Sequence, residues 1–365
     1  MRMKKLLAGI LILVLLLCAC SCTVQVQDAA VVHFIDVGQA DAILIVSDNS
    51  SVLIDAGTNS SGEAVLNYIK ALGINKIDYL IGTHPHEDHI GGLDTIINGL
   101  DIENILMPRH SSNTQTYEDV LIAAKNKGLK ITAAKAGGSF TAGQCLFSIL
   151  APSGEYDNTN NYSIVLRMEV GNVSMLFTGD AESQSEARML QEGAQLKSDL
   201  IKIGHHGSDT SSSPEFLQAV SPRYAVISVG EDNPYGHPSA QTLKNLEGVE
   251  LYRTDLMGTI TASTDGREIS FSISKGSKPP AQTPSHPEQT GQIAAMPSTT
   301  TSTGSSFSPI TAAPSEDVVY IGNKNTHKFH LPSCSGLPDQ ANRIIFHSRQ
   351  EAVQAGMTPC SKCNP

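Results

Sequence analysis

Thr83-His84-Pro85-His86-Glu87-Asp88-His89 lies between an apolar, strand-like run, Ile77–Gly82, and the Gly91-Gly92-Leu93 entry to a helical stretch. This loop constrains the chain more than any other feature. Four side chains able to hold a cation, His84, His86, Asp88 and His89, fall within six residues of one strand-to-helix connection. There they can converge on two adjacent cations, His84 and His86 on one, Asp88 and His89 on the other. Neutral imidazole with carboxylate suits zinc, manganese or iron, so ligand type alone does not choose the metal. The glycine pair leaves room for the backbone to approach closely.

Around this loop, from Val31 to about Ser274, short β-branched runs alternate with segments of helical spacing. Val31–Val37, Ala42–Val46, Val52–Asp55, Ser163–Val170, Val173–Thr178, Leu200–Ile203, Tyr224–Val229 and Ile269–Ile273 read as strands. Glu63–Leu72, Tyr117–Lys127, Glu182–Glu192, Pro214–Val220 and Ala240–Leu246 read as helices. Such an order predicts an α/β fold of packed sheets with helices outside. Residues 31–275 hold 30 acidic against 16 basic side chains, a net −14. That charge counts against a tight, non-specific DNA binder.

Both ends carry other signals. Arg2, Lys4 and Lys5 precede an apolar run, Leu6–Leu17, too short to span a membrane comfortably. Residues 1–22 therefore read as a secretory signal, and the rest, as exported. Residues 276–316 are rich in Pro, Ser, Thr and Gln and read as a disordered linker. In 317–365, His330, Cys334, Cys360 and Cys363 give H-x3-C and C-x2-C hooks suited to a closed structural zinc site. A disulfide with a spare thiol is the rival. Residues 318–365 carry a net +3, compatible with contact to nucleic acid.

Leu17-Cys18-Ala19-Cys20 resembles a bacterial lipobox, which implies a lipid on Cys20, with Cys22 the fallback, and a membrane lipoprotein facing outward. The HxHxDH string resembles the signature of the metallo-β-lactamase superfamily, implying an αββα sandwich over 29–275 with a dinuclear site at one edge. The resemblance implies that Asp180, in Phe177-Thr178-Gly179-Asp180, bridges both metals. It also implies a final histidine from Lys202-Ile203-Gly204-His205-His206, with His206 favoured as ligand and His205 as a support or substrate contact. One departure stands out. Members commonly carry a further histidine before the bridging aspartate, where this chain has Asn158-Thr159-Asn160-Asn161, and Asn161 could offer only an amide oxygen.

His33-Phe34-Ile35-Asp36-Val37-Gly38-Gln39-Ala40-Asp41 and Asn233-Pro234-Tyr235-Gly236-His237-Pro238 make the chain similar to the hydrolase domain of ComEC-type DNA-uptake proteins. Teichoic-acid phosphorylcholine esterases share much of the pattern. Both imply phosphodiester hydrolysis by a hydroxide shared between two divalent cations, zinc or manganese. Asp88 would take part in the chemistry as a ligand. Lys202, His205 or His237 would stabilise charge or protonate the leaving oxygen. Asp36, Gln39 and Asp41 either orient ligands from behind or cap turns. The substrate would be DNA or a cell-wall polymer, and the small module, similar to the zinc-binding domain of Ada repair proteins, would contact either. A non-catalytic metal-containing lipoprotein is the reading from another class.

Overall fold

The computed structural model describes residues 28–277, 320–330, 334, 337–338, 342–346, 352 and 355–360. The expected signal 1–22 with Cys20, nearly all of the linker 276–316, and Cys363 lie outside those residues. The chain divides into two units, 1–284 and 285–365.

The first unit opens with β1 (Ala30–Phe34), β2 (Ile43–Ser47), β3 (Ser50–Ile54), α1 (Gly62–Ala71) and β4 (Lys76–Ile81). The short α2 (Glu87–Ile90), α3 (Leu93–Gly99), β5 (Asp101–Pro108), α4 (Gln115–Asn126) and β6 (Ile131–Ala134) follow. Next come β7 (Ser139–Ala142), β8 (Cys145–Ala151), β9 (Val165–Val170), β10 (Val173–Phe177) and α5 (Ser183–Gln191). Then come β11 (Leu200–Lys202), α6 (Pro214–Val220), β12 (Tyr224–Ile227) and α7 (Ala240–Asn245). The unit closes with β13 (Glu250–Arg253), α8 (Thr254–Met257), β14 (Ile260–Thr264) and β15 (Ile269–Ile273).

Two sheets result, ordered β15-β14-β1-β2-β3-β4-β5-β6 and β13-β12-β11-β10-β9-β8-β7. Each is antiparallel along one part and parallel along the other, β3 to β6 in the first and β10 to β13 in the second. Strand periodicity sorts the side chains. Val52 and Ile54 enter the core between the sheets with Phe147, Met168 and Phe177, while Leu53 faces the layer of α1, α3 and α4. On the far face Leu176, Ile201 and Ile227 pack with Met189 of α5 and Phe216 and Val220 of α6. The result is the αββα sandwich expected.

The sequence reading assigned no strand to β5, β6, β7, β8, β13 or β14. β5 opens Asp-Ile-Glu-Asn, a poor strand sequence in isolation, and it forms because β4 and β6 pair with it on either side.

The metal-loop glycines act by close approach. A Cβ on Gly91 would lie 2.2 Å from the Asn59 backbone nitrogen, and one on Gly92 2.4 Å from the Ala56 carbonyl oxygen. Backbone cannot swing aside, and the same stretch is tied to the loop by Ala56 N–H donating to His89 O at 2.8 Å.

In the second unit, β16 (Tyr320–Asn323), β17 (Lys328–His330), β18 (Arg343–Phe346) and β19 (Thr358–Pro359) form a sheet ordered β18-β16-β17-β19. Its small core is Phe329, Phe346, Ala352 and Met357.

Two outcomes follow. Gly92→Ala should lower unfolding stability by about 1–3 kcal/mol, seen as a lower denaturant midpoint at unchanged slope. The second concerns His33, buried with Nδ1 3.0 Å from the Tyr68 hydroxyl, where burial pushes its pKa down to about 4. It stays neutral when folded, whereas the unfolded chain takes up the proton below about 6.5. Its contribution is therefore full above about 6.5 and is lost as pH falls towards about 4. His33→Gln should flatten the fall in melting temperature across that interval relative to the parent.

Candidate metal centre

The centre forms where parallel strands end. Asp55 follows β3, the histidine loop follows β4, Asp180 follows β10, and His205 and His206 follow β11. Carboxyl ends of parallel strands gather at one edge of each sheet, the usual position of a ligand crevice in open α/β sheets. His84, His89, Asp180, His205 and His206 are buried, while His86 and Asp88 are only partly covered and mark the open side.

Asp180 is the hub. Its Oδ2 lies 3.2 Å from His89 Nε2, 3.8 Å from Nε2 of both His205 and His206, and 3.9 Å from His84 Nε2. Asp88 Oδ2 lies 3.3 Å from His206 Nε2, and His84 Nε2 lies 2.9 Å from His86 Nδ1. Ligand atoms of Asp88, His89, Asp180 and His206 all fall within 4.8 Å of one another. Asp180 Oδ1, His89 Nε2 and His206 Nε2 are buried with no hydrogen-bond partner. Burying acceptors unsatisfied is costly, and a divalent cation removes that cost. The residues fit a metal.

Hydrogen bonds from behind set each ring. Asp55 Oδ2 takes His89 Nδ1 at 2.8 Å and the Thr83 hydroxyl at 2.7 Å, which leaves His89 Nε2 directed at Asp180. His206 Nδ1 donates to Ser228 O at 2.9 Å, and His84 Nδ1 meets Ser163 Oγ at 3.2 Å. Burial pushes the Asp55 carboxyl up, partly countered by His89. Burial likewise drives His84 well below the ordinary imidazole range, as a neutral ligand requires. Burial works to raise Asp180 too, yet His89, His206 and His205 hold it well below the usual carboxylate range.

Sequence reasoning missed Asp55, Ser163, Glu182 and Ser228. An acid closing the apolar run Val52-Leu53-Ile54 was the available signal for Asp55.

The structure corrects the reading of Lys202 and gives Asn161 and Asp36 their places. Asn161 does not stand as a ligand: its Oδ1 accepts the N–H groups of Glu182 (3.1 Å) and Ser185 (2.9 Å), capping α5. Lys202 is not a charge presented to substrate, because it is fully buried and its ammonium pairs with Asp41. Asp36 stays away from the ligands, its Oδ1 accepting Gly38 N–H at 3.3 Å in a turn and its Oδ2 near Lys275 at 3.7 Å. Asp41 does sit behind the site, 3.5 Å from His206 Nδ1 and 3.9 Å from His89 Nδ1. Gln39 reaches the far loop, with Oε1 accepting Gly230 N–H at 3.0 Å and Nε2 3.5 Å from His237 Nδ1. The His237 ring is 5.7 Å from that of His205.

In the second unit, ligand atoms of His330, Cys334 and Cys360 lie within 4.8 Å of one another, and His330 Nε2 is buried without a hydrogen bond. These too fit a cation.

An imidazole–carboxylate centre at the edge of an αββα sandwich defines a metal-dependent hydrolase. Residues 35–231 match the metallo-beta-lactamase superfamily and residues 312–365 the metal binding domain of Ada. The chain belongs to the metallo-beta-lactamase superfamily, and its relatives support the ComEC-like branch. It is 33% identical over 263 residues to ComE operon protein 3 of Bacillus subtilis (strain 168), covering 66% of this chain and 34% of that protein. Competence protein ComA of Neisseria gonorrhoeae is 31% identical, over 64% of this chain and 32% of its own length. Recombination protein 2 of Haemophilus influenzae is 32% identical, over 59% of this chain and 26% of its own. The chain thus spans about a third or less of each relative. Among the described residues no helix is long and apolar enough to cross a membrane.

The capping role of Asn161 has a direct consequence. Asn161→Ala should cost about 1–2 kcal/mol of stability in denaturant unfolding while leaving metal content, read by elemental analysis, unchanged. A loss of metal at unchanged stability would instead make Asn161 a ligand.

Proposed function

We propose that this chain is an exported, lipid-anchored phosphodiesterase or nuclease that uses two divalent cations, zinc or manganese, and carries a structural zinc in the module 317–365. The observation that carries the reading is the buried Asp180 carboxylate, which faces four imidazole Nε2 atoms, two of them without a hydrogen bond. A carboxylate so placed can serve cations on both sides. Competence-protein relatives support a nucleic-acid phosphodiester as substrate, and the Arg2–Leu17 pattern with Cys20 supports export and anchoring. The small module would contact nucleic acid or cell wall.

When bound, the cations supply Lewis acidity, lowering the pKa of a water and neutralising phosphoryl charge. The chain's own groups do the positioning. His86 and Asp88 border the open side, where substrate must enter. With Lys202 committed to Asp41, His237 is the candidate to protonate the leaving oxygen. Asn233 holds it there, taking the His237 N–H on Oδ1 at 3.0 Å and donating Nδ2 to the His237 carbonyl at 2.7 Å.

The test is metal analysis with a panel of bis(p-nitrophenyl) phosphate, single-stranded DNA and phosphorylcholine esters. Asp180→Asn should remove turnover and lower metal content while the fold persists. His237→Gln should slow DNA cleavage about 10²–10⁴-fold but spare bis(p-nitrophenyl) phosphate, whose leaving group needs no proton. Turnover of phosphorylcholine esters alone would make the protein that esterase, and metal binding without any turnover would make it a binding lipoprotein.

A further inference from the structure

We propose that His205 supplies the missing protein nitrogen of the cation site formed by His84 and His86, so that the adjacent His205 and His206 serve one cation each. This rests on the two-cation reading above and assigns His205 a ligand role beside His206.

The backbone provides the means. His205 and His206 are consecutive residues in the left-handed region, with φ of 49° and 52°. Non-glycine residues hold such a conformation only where their surroundings enforce it, and these cases gather at functional sites. The two rings have different neighbours. His206 is fixed on the β12 side, Nδ1 donating to Ser228 O, and its Nε2 faces Asp88. His205 lies on the side of the Asn158–Ser163 turn, its Nε2 3.5 Å from Asn160 Nδ2, and His84 meets the same turn at Ser163. Both His205 Nε2 and His84 Nε2 look onto Asp180 Oδ2, at 3.8 and 3.9 Å.

The turn that lacks a histidine explains how His205 is set. His205 Nδ1 lies 3.1 Å from Glu182 Oε1 and 3.0 Å from the Thr210 hydroxyl. A proton on Nδ1 leaves the Nε2 lone pair for a cation. Glu182 is in turn gripped by Asn158 Nδ2 (2.8 Å), Asn160 Nδ2 (3.1 Å) and Thr210 Oγ1 (2.9 Å). The asparagine-rich turn therefore contributes amides that hold the carboxylate that holds His205. Glu182 is a positioning residue.

The experiment titrates the full chain with manganese, which the thiolate set of the second unit disfavours. Bound equivalents come from equilibrium dialysis and cation coupling from electron paramagnetic resonance. The variants are His205→Asn, which tolerates the left-handed backbone but is too short to reach, and His206→Asn. Near-isosteric Glu182→Gln keeps the test open if His205→Asn misfolds. The parent should bind two equivalents with an exchange-coupled spectrum. His205→Asn should lose one and give an uncoupled six-line spectrum, His206→Asn should lose the other, and Glu182→Gln should weaken only the His205 site, by about 10–100-fold. Two coupled equivalents at parent affinity in His205→Asn and Glu182→Gln would overturn the proposal. A parent that binds one equivalent overturns the two-cation reading instead; His205 then stands as a ligand if His205→Asn loses that equivalent, and falls if it keeps it.

Discussion

One buried carboxylate organises this molecule. Asp180 lies at the end of β10, 1% exposed, with imidazole nitrogens of four histidines between 3.2 and 3.9 Å from one of its oxygens. An ionised carboxylate in such a place needs strong compensation. The rest of the site can be read as the means of providing it: two sheets whose parallel halves end at the same edge, and loops from both that turn imidazoles inward. Ser163 donates its hydroxyl to His84 or accepts from it, and its Oγ accepts the Asp180 N–H at 3.1 Å, so one residue ties a ligand of the first sheet to the hub of the second.

The sandwich was readable because its parts were locally consistent. β-branched runs of strand length, glycine stops and the histidine loop all pointed to an αββα fold. Strands such as β5 and β7 were not readable, since their formation depends on neighbours distant in sequence. The candidate metal ligands were legible for a different reason: clustered His and Asp have few structural uses. What lay behind them was not. Asp55 and Glu182 are ordinary acids in sequence, and their meaning comes from distances of 2.8 and 3.1 Å to rings contributed by other loops. The use of Asn161 was not legible either, because a family position predicts where a side chain is in the chain, and not whether a helix end has already claimed it.

Lys202 and Asp41 illustrate how burial reassigns a residue. A lysine beside two histidines suggests transition-state stabilisation, yet its fully buried ammonium is matched to Asp41. Asp41 also receives the close approach of His206 Nδ1 at 3.5 Å, and its N–H donates to Asp88 O at 3.1 Å. The pair thus links β11 to the metal loop. Removing one partner of such a buried pair leaves an uncompensated charge, so loss of activity in a Lys202 variant would not by itself identify a catalytic group.

The acidity of the first unit and the proposed phosphodiester chemistry are reconciled by range. Its net −14 is spread over 31–275, and exposed charges more than about 8 Å away are largely screened at physiological ionic strength. On the two-cation reading proposed above, the local balance at the open side would differ, because two divalent cations would outweigh the carboxylates of Asp88 and Asp180. A phosphodiester would then meet net positive charge only at the centre itself. An arrangement of that kind would favour the one phosphate that reaches the metals over its neighbours, so that on this reading a polymer would be cut where a flexible segment enters and would not be retained along its length. On that reading, affinity for the polymer as a whole would have to come from elsewhere in the chain, and residues 318–365, with their net +3, are the part whose charge would suit it.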